Sequence, residues 1–383
     1  MMYYFDNAAS TKPYKEVIDY YAQVAQNIYS NPSALHKFGY EAAKLTEDAR
    51  EKLLAVYELK DYEVVFTSGA TESANLAIKG TIERFEDISK THIITTGIEH
   101  ACVTQPCLYL EGRGAKVSFL GVDRYGKIEL DELKNAINKN TKLISIIWVN
   151  NENGIIQDIK KISETIKSIS PQILLHIDAT QGFGKVPADL SVADLISISA
   201  HKFHGPKGIG ALFIKKGISL NCVEHGGGQQ NGLRSGTINA PMIAALGKTC
   251  ELTDISSSYR ILREKQQYLY GALVKKFGED VINSHIYENG YAPHILSVSF
   301  PSLKGEVLLH MLEANDIYVS TSSACSSRKK IKSVLANLGF SHEKITGTLR
   351  LSISEYTTEE EIDFLVSKLA EAVETLSLLR GKK

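Results

Sequence analysis

The chain has 383 residues and a mass of 42.2 kDa, the length of two ordinary domains rather than one. Hydrophobic residues at 43% and charged residues at 23% exclude a disordered or low-complexity chain. The 43 Lys and Arg against 44 Asp and Glu leave a net charge of -1, which argues against direct binding to nucleic-acid phosphates. Mean hydropathy is -0.11, and no apolar run reaches the roughly 18 residues of a membrane span. Residues 1–7 lack the charged leader and apolar core of a secretory signal. Five cysteines without a CxxC pair argue for a reducing, cytoplasmic setting, and against a disulfide framework or a Cys-rich zinc site.

In chain order, residues 3–13 are poor helix and free to pack on either half; we group 1–13 with the C-terminal part. Short β-branched runs then recur at 64–66, 92–96, 115–119, 143–149, 173–178, 195–199 and 210–214. They read as strands. Helix-like stretches at 71–84, 129–138 and 158–168 lie between them. This alternation predicts an α/β fold whose mostly parallel sheet is covered on both faces. Past residue 236 the texture changes. Residues 239–277 hold a single proline and read as long helix. A smaller α/β unit follows, with strands near 295–300 and 349–353 and helices near 305–315 and 358–379. The expected division is a large domain over 14–255 and a small domain built from 1–13 and 256–383.

Ligands of open parallel sheets sit beyond the carboxyl ends of the strands. Those ends are polar here: Thr67-Ser68-Gly69-Ala70-Thr71, Glu99-His100, Asn150-Asn151-Glu152, Asp178-Ala179-Thr180-Gln181 and Ser199-Ala200-His201-Lys202. The first is a small-residue turn opening a helix, either a plain N-cap or an anion cradle. Asp178 is either a satisfied turn former or the partner of a buried cation such as a protonated pyridine nitrogen. Lysines usually snorkel at the surface. Lys202, however, directly follows a strand, and a partly buried amine there can act as a nucleophile. An acid and then a His-Lys pair at successive strand ends favours a Schiff-base lysine. The run His225-Gly226-Gly227-Gly228-Gln229 with Arg234-Ser235-Gly236-Thr237 reads as a flexible loop or a second anion contact.

Cys325 stands in a run of small hydroxylic residues, Ser320 to Ser327, followed by Arg328, Lys329, Lys330 and Lys332. That places it on an exposed loop where nearby cations favour thiolate. Cys102, Cys107, Cys222 and Cys250 read as structural thiols. Arg350 lies in an apolar strand and calls for a partner, with a bidentate carboxylate the natural choice.

Together these segments resemble the cysteine desulfurases of the NifS/IscS type, in the class V branch of fold-type I pyridoxal-phosphate (PLP) enzymes. The resemblance runs nearly end to end: YFDNAAST at 4–11, NPS at 31–33, TSGATES at 67–73, EH at 99–100, VNNE at 149–152, DATQ at 178–181, HKFHGPKGIG at 201–210, RSGT at 234–237, SAC at 323–325 and TTEEEID at 357–363. It implies a large PLP-binding domain with a seven-stranded sheet, and a small domain carrying the cysteine loop.

The resemblance also implies roles. Lys202 would hold PLP and shuttle protons. Asp178 would keep the pyridine nitrogen charged, and His100 would stack on the ring and serve in acid–base steps. Asn151 and Gln181 would face the phenolic oxygen; Ala70, Thr71, Ser199 and His201 would bind the phosphate. Thr237 would reach the phosphate of a neighbouring subunit, implying a homodimer with shared active sites. Arg350, with Asn151, would bind the substrate carboxylate. Cys325 would take sulfur from L-cysteine as a persulfide, leaving L-alanine, and pass it to an acceptor for iron–sulfur cluster or tRNA thiolation chemistry. No resident metal is implied, Cys325 serving at most as a transient iron–sulfur ligand. An aminotransferase has no use for Cys325; a selenocysteine lyase would share most of these residues, and an inactive sulfur-relay scaffold would not need them intact. The chain departs from the pattern at Ser322 and Ser354, where glycine is usual, at Asn231, where arginine is usual, and at Trp148, where a smaller or imidazole side chain is common.

Overall fold

The computed structural model describes residues 2–284, 290–321 and 334–380. Its twelve described strands are β1 Tyr3–Tyr4, β2 Tyr62–Thr67, β3 His92–Thr96, β4 Lys116–Leu120, β5 Thr141–Ile147, β6 Leu174–Asp178, β7 Leu195–Ser199, β8 Gly210–Lys215, β9 Ile295–Ser299, β10 Ile317–Tyr318, β11 Ser320–Thr321 and β12 Thr348–Ser352. Its helices are α1 Lys15–Asn27, α2 Lys37–Ala55, α3 Ala70–Ile82, α4 Ala101–Gly112, α5 Leu130–Ala136, α6 Ile159–Ile169, α7 Ala240–Leu252, α8 Ile255–Phe277, α9 Gly305–Glu313, α10 Val334–Asn337, α11 His342–Thr346 and α12 Glu359–Arg380.

Seven strands form one sheet in the order β2-β8-β7-β6-β5-β3-β4. Only β8 runs against its neighbours. The central strands are buried at every position in β3 and β7, which is why they read as unbroken β-branched runs rather than alternating ones. One face packs Ile144, Ile146, Leu175, Ile177, Ile196 and Ile198 beneath residues of α2, α6 and α7. The other packs Ile93, Leu143, Leu195 and Leu212 against Ile78 and Ile82 of α3 and Val103 and Leu110 of α4. Each such side chain contributes about 1.5–3 kcal/mol by leaving water.

A second core gathers Leu296, Val298, Leu349 and Leu351 of β9 and β12 with residues of α8, α9 and α12. The stretch 239–277 is not one helix. It divides into α7 and α8, and the side chain of Asp254 caps α8 by accepting from Ser257 N at 3.0 Å. A capping acid ends one helix and starts the next without proline or glycine.

The N-terminal strand ties the two cores together. β1 runs parallel to β10, Phe5 is fully buried in the second core, and Asp6 bridges to Ser352. A few residues later Thr11 N donates to the His201 carbonyl at 2.9 Å and Tyr14 N to the His204 carbonyl at 3.0 Å. Residues 8 and 9 are thereby held over the loop that follows β7.

Candidate active site

A cavity of about 650 Å³ opens at the carboxyl ends of the central strands. Lys202 stands on the turn after β7, and its Nζ donates to the carbonyls of Ala8 at 2.8 Å and Ala9 at 2.9 Å. Burial, reinforced by the Arg350 charge, pushes this amine down to about 8, with Asp178 and Asp6 opposing. Asp178, at the end of β6, is 2% exposed. Its Oδ1 accepts from Thr180 N at 3.0 Å and from the Thr180 hydroxyl; its Oδ2 accepts from Cys102 Sγ at 3.4 Å.

His100 caps α4, with Nδ1 accepting from Cys102 N at 3.2 Å. That bond leaves the neutral ring's proton on Nε2. Burial holds the imidazole below its ordinary range, against the pull of Asp178. His201 is pushed down to about 4, by burial first and then by Lys202, Lys207 and Lys185, so it is neutral at pH 7. Gln181 is 3% exposed; its Nε2 donates to the Ala8 carbonyl at 2.8 Å and its Oε1 accepts from the buried Lys185 at 3.5 Å.

The far end of the cavity is the start of α3. Gly69 is its N-cap and provides no side-chain cap, so first-turn N–H groups at Ala70 and Thr71 remain open. Gly69 has φ +150, a conformation reserved for glycine, and a Cβ there would lie 3.2 Å from Ser199 Oγ. An uncapped helix N-terminus with a hydroxyl beside it suits a phosphate. Arg234 of the glycine-rich loop does not face the cavity: its Nε pairs with Glu72 Oε1 at 2.9 Å, which secures that loop beside α3.

The cavity thus brings together Ala70, Thr71, His100, Asn151, Asp178, Gln181, Ser199, His201, Lys202 and Arg350. Thr237 is exposed and absent from this lining, and Cys325 lies outside the described residues. Arg350 has no bidentate carboxylate partner among the described residues. Its Nη2 donates to Asp6 Oδ1 at 2.6 Å, its Nη1 to the Asn151 carbonyl at 2.9 Å, and its Nε is buried without a partner among the described residues. Cys102 is not an inert core thiol but part of the wall. The Ala8 and Ala9 carbonyls carry no side-chain signal that would mark them, whereas Thr180 lies within the polar strand end 178–181. No group of three or more His, Cys, Asp or Glu among the described residues is placed to hold a metal ion.

The aminotransferase class-V family model matches residues 3–365. The chain is 41% identical over 382 residues to the cysteine desulfurase IscS of Methanosarcina thermophila, covering 97% of this chain and 92% of that one. It is 38% identical over 385 residues to the cysteine desulfurase IscS of Dictyoglomus turgidum, covering 99% and 96%. Among solved structures it is similar to a NifS-like protein with a TM-score of 0.91 at 36% identity, covering 98% of this chain and 100% of that chain. A structure of SspA in complex with cysteine matches with a TM-score of 0.79 at 32% identity, covering 93% and 99%.

Proposed function

The chain belongs to the class-V aminotransferase family and within it to the cysteine desulfurases of the NifS/IscS type, and from that premise we propose that it uses PLP to convert L-cysteine to L-alanine, keeping the sulfur as a persulfide on Cys325. The observation that carries this reading is a lysine amine pushed down to about 8 facing the same cavity as a buried carboxylate. The donor set fits the cofactor: an amine for its aldehyde, a buried acid for a pyridine nitrogen, and an uncapped helix start for a phosphate.

Lys202 would hold PLP, Asp178 its ring nitrogen, and Asn151 and Gln181 its phenolic side. Ala70, Thr71, Ser199 and His201 would hold its phosphate. Bound there, PLP supplies an electron sink for chemistry at the substrate α-carbon. Arg350 orients the substrate by its carboxylate. Lys202 and the Nε2 of His100 hold and move protons beside the reacting carbons. The Cys325 thiolate forms an S–S bond to the substrate sulfur while the C–S bond breaks, and a proton takes the place of sulfur on the three-carbon product. Atoms balance without an added oxidant, because the carbon is reduced as the sulfur is oxidised. We take 1–13 and 256–383 as the unit carrying Cys325 and Arg350, and 14–255 as the PLP-binding unit.

Thr237 would complete the phosphate site of a second copy, which makes a homodimer with shared sites part of the reading. The sulfur would pass to an acceptor protein, an iron–sulfur scaffold or a tRNA thiolation enzyme. A cytoplasmic, reducing setting is supported by the free thiols of Cys102, Cys107, Cys222 and Cys250. No helix among the described residues is long and apolar enough to cross a membrane.

The test is an assay of alanine and sulfide from L-cysteine with a reductant, joined to mass spectrometry of Cys325. Alanine formation with 32 mass units (one sulfur atom) added to Cys325 before reduction is expected. Full sulfide release by Cys325→Ala, or a purified protein that takes up no PLP, would sink the reading.

A further inference from the structure

Lys185 is 5% exposed, stands outside the cavity lining, and is bonded to a residue that belongs to it. Burial first, and then the Lys202 charge, hold this amine well below its ordinary range. No carboxylate pairs with it among the described residues. The groups that share its field are Lys202, His201, His204 and His294, none of them an acid. A lysine buried without an acid is costly, and an apolar side chain of the same length would fill the space at less cost. Packing alone does not explain it.

Its hydrogen bond does. Gln181 and Lys185 lie four residues apart on the turn after β6, which Phe183 and Val186 root in the large core. Lys185 Nζ donates to Gln181 Oε1 at 3.5 Å, and Gln181 Nε2 donates to the Ala8 carbonyl at 2.8 Å. The same carbonyl accepts from Lys202 Nζ at 2.8 Å. A carbonyl only accepts, so the amide cannot present its oxygen to Ala8. Oε1 therefore points away from Ala8, which lines the cavity, and needs a donor on its far side. Nζ carries such a donor in either protonation state. Nε2 keeps a second proton on the side of Ala8 and the cavity.

We infer that Lys185 is a positioning residue: by holding Gln181 Oε1 it fixes the amide with its N–H donors toward the cavity, where they meet the phenolic oxygen of PLP. The assignment rests on the proposed PLP reading and adds to it a residue that touches neither cofactor nor substrate. An N–H donor there favours the oxygen in its anionic form. Without Lys185, Oε1 is a buried acceptor lacking a partner, and the amide turns from Ala8 to satisfy it.

The test reads the bound cofactor rather than turnover. The visible band of the PLP-loaded protein is titrated with pH, and PLP affinity is measured on the cofactor-free protein. Lys185→Met keeps the length of the side chain and removes the donor. It should raise the midpoint of the band by about one pH unit and weaken PLP about tenfold, the scale of one hydrogen bond to a charged oxygen. Gln181→Leu should do the same. Beside Gln181→Leu, Lys185→Met should add nothing, because its effect runs through the amide. Lys185→Leu takes its place in the same cycle should the methionine variant fail to fold. An unmoved midpoint in Lys185→Met overturns the inference. So does a full shift that persists beside Gln181→Leu, which would mean that the lysine acts through space by its charge. A wild type that shows no visible band sinks the cofactor reading itself, and the assignment falls with it; a wild type with the band and variants without a shift sink the assignment alone.

Discussion

Cys102 Sγ donates to Asp178 Oδ2 across 3.4 Å inside the cavity wall. Burial first, and then the Asp178 carboxylate, push this thiol well above its ordinary range, so it stays protonated and acts as a donor. Asp178 is therefore held from both sides, by Thr180 on one oxygen and by Cys102 on the other. We expect the S–H stretching band isolated by subtracting the Cys102→Ala spectrum to lie below that of a free thiol. Asp178→Asn should move it back. Cys102→Ala should cost about 0.5–1.5 kcal/mol of stability, with Cys102→Ser recovering part through its hydroxyl. A thiol band insensitive to Asp178→Asn would show that the contact carries no hydrogen bond.

The Lys202 amine, pushed down to about 8 by burial and Arg350, sets a pH dependence that can be read without turnover. The neutral amine is the nucleophile, so its fraction grows as pH rises. Capture of PLP by cofactor-free protein should accelerate through about pH 8 and level off above it. A profile rising only near the ordinary lysine value of about 10.4 would contradict the depressed amine. Borohydride should fix the cofactor's mass to the wild type and leave Lys202→Ala unlabelled.

Much of this site was legible before any coordinates. Strand ends in a parallel sheet point their polar residues at one edge, so Asp178 and Lys202 announced themselves by position. The Ser-rich run around Cys325 reads as an exposed loop, and that residue lies outside the described residues. Other partners were hidden because folding, not spacing, makes them neighbours. Cys102 lies 76 residues from Asp178 in sequence and sits on a helix face that reads as ordinary core. The Ala8 and Ala9 carbonyls that hold Lys202 belong to the backbone and leave no trace in side-chain chemistry. The break between α7 and α8 has no proline or glycine to mark it, because the capping Asp254 takes their place.

Glu99 gives a second pH-dependent expectation, this time in stability. Burial raises its carboxyl to about 8, against hydrogen bonds from the Thr96 hydroxyl at 2.7 Å and Ile147 N at 2.9 Å. Its Oε2 is buried without a partner among the described residues. The folded state thus binds a proton that the unfolded chain has released above about pH 4.3. Stability from this group is complete below that value and is lost as pH rises through about 8. Glu99→Gln, uncharged at every pH, should flatten that decline in urea denaturation series. A wild type and variant with the same pH slope between 5 and 8 would show that Glu99 is ionised in the fold.

Trp148 is the departure with a clear structural counterpart. The ring is 1% exposed and lies against Gly182, where an added Cβ would come within 2.3 Å of Cε3 and 2.5 Å of Cζ3. Tyr57 meets the same indole edge-on, with ring centroids 6.3 Å apart. The large side chain is accommodated because its neighbour has none. Gly182→Ala should destabilise the fold by about 1–3 kcal/mol through overpacking, seen as a lower urea midpoint at unchanged slope. Trp148→Phe should also cost stability by leaving a void. In the double variant the smaller ring yields space to the new methyl, so the combined loss should fall short of the sum. Simple additivity of the two losses would mean that contact between ring and glycine does not limit packing here.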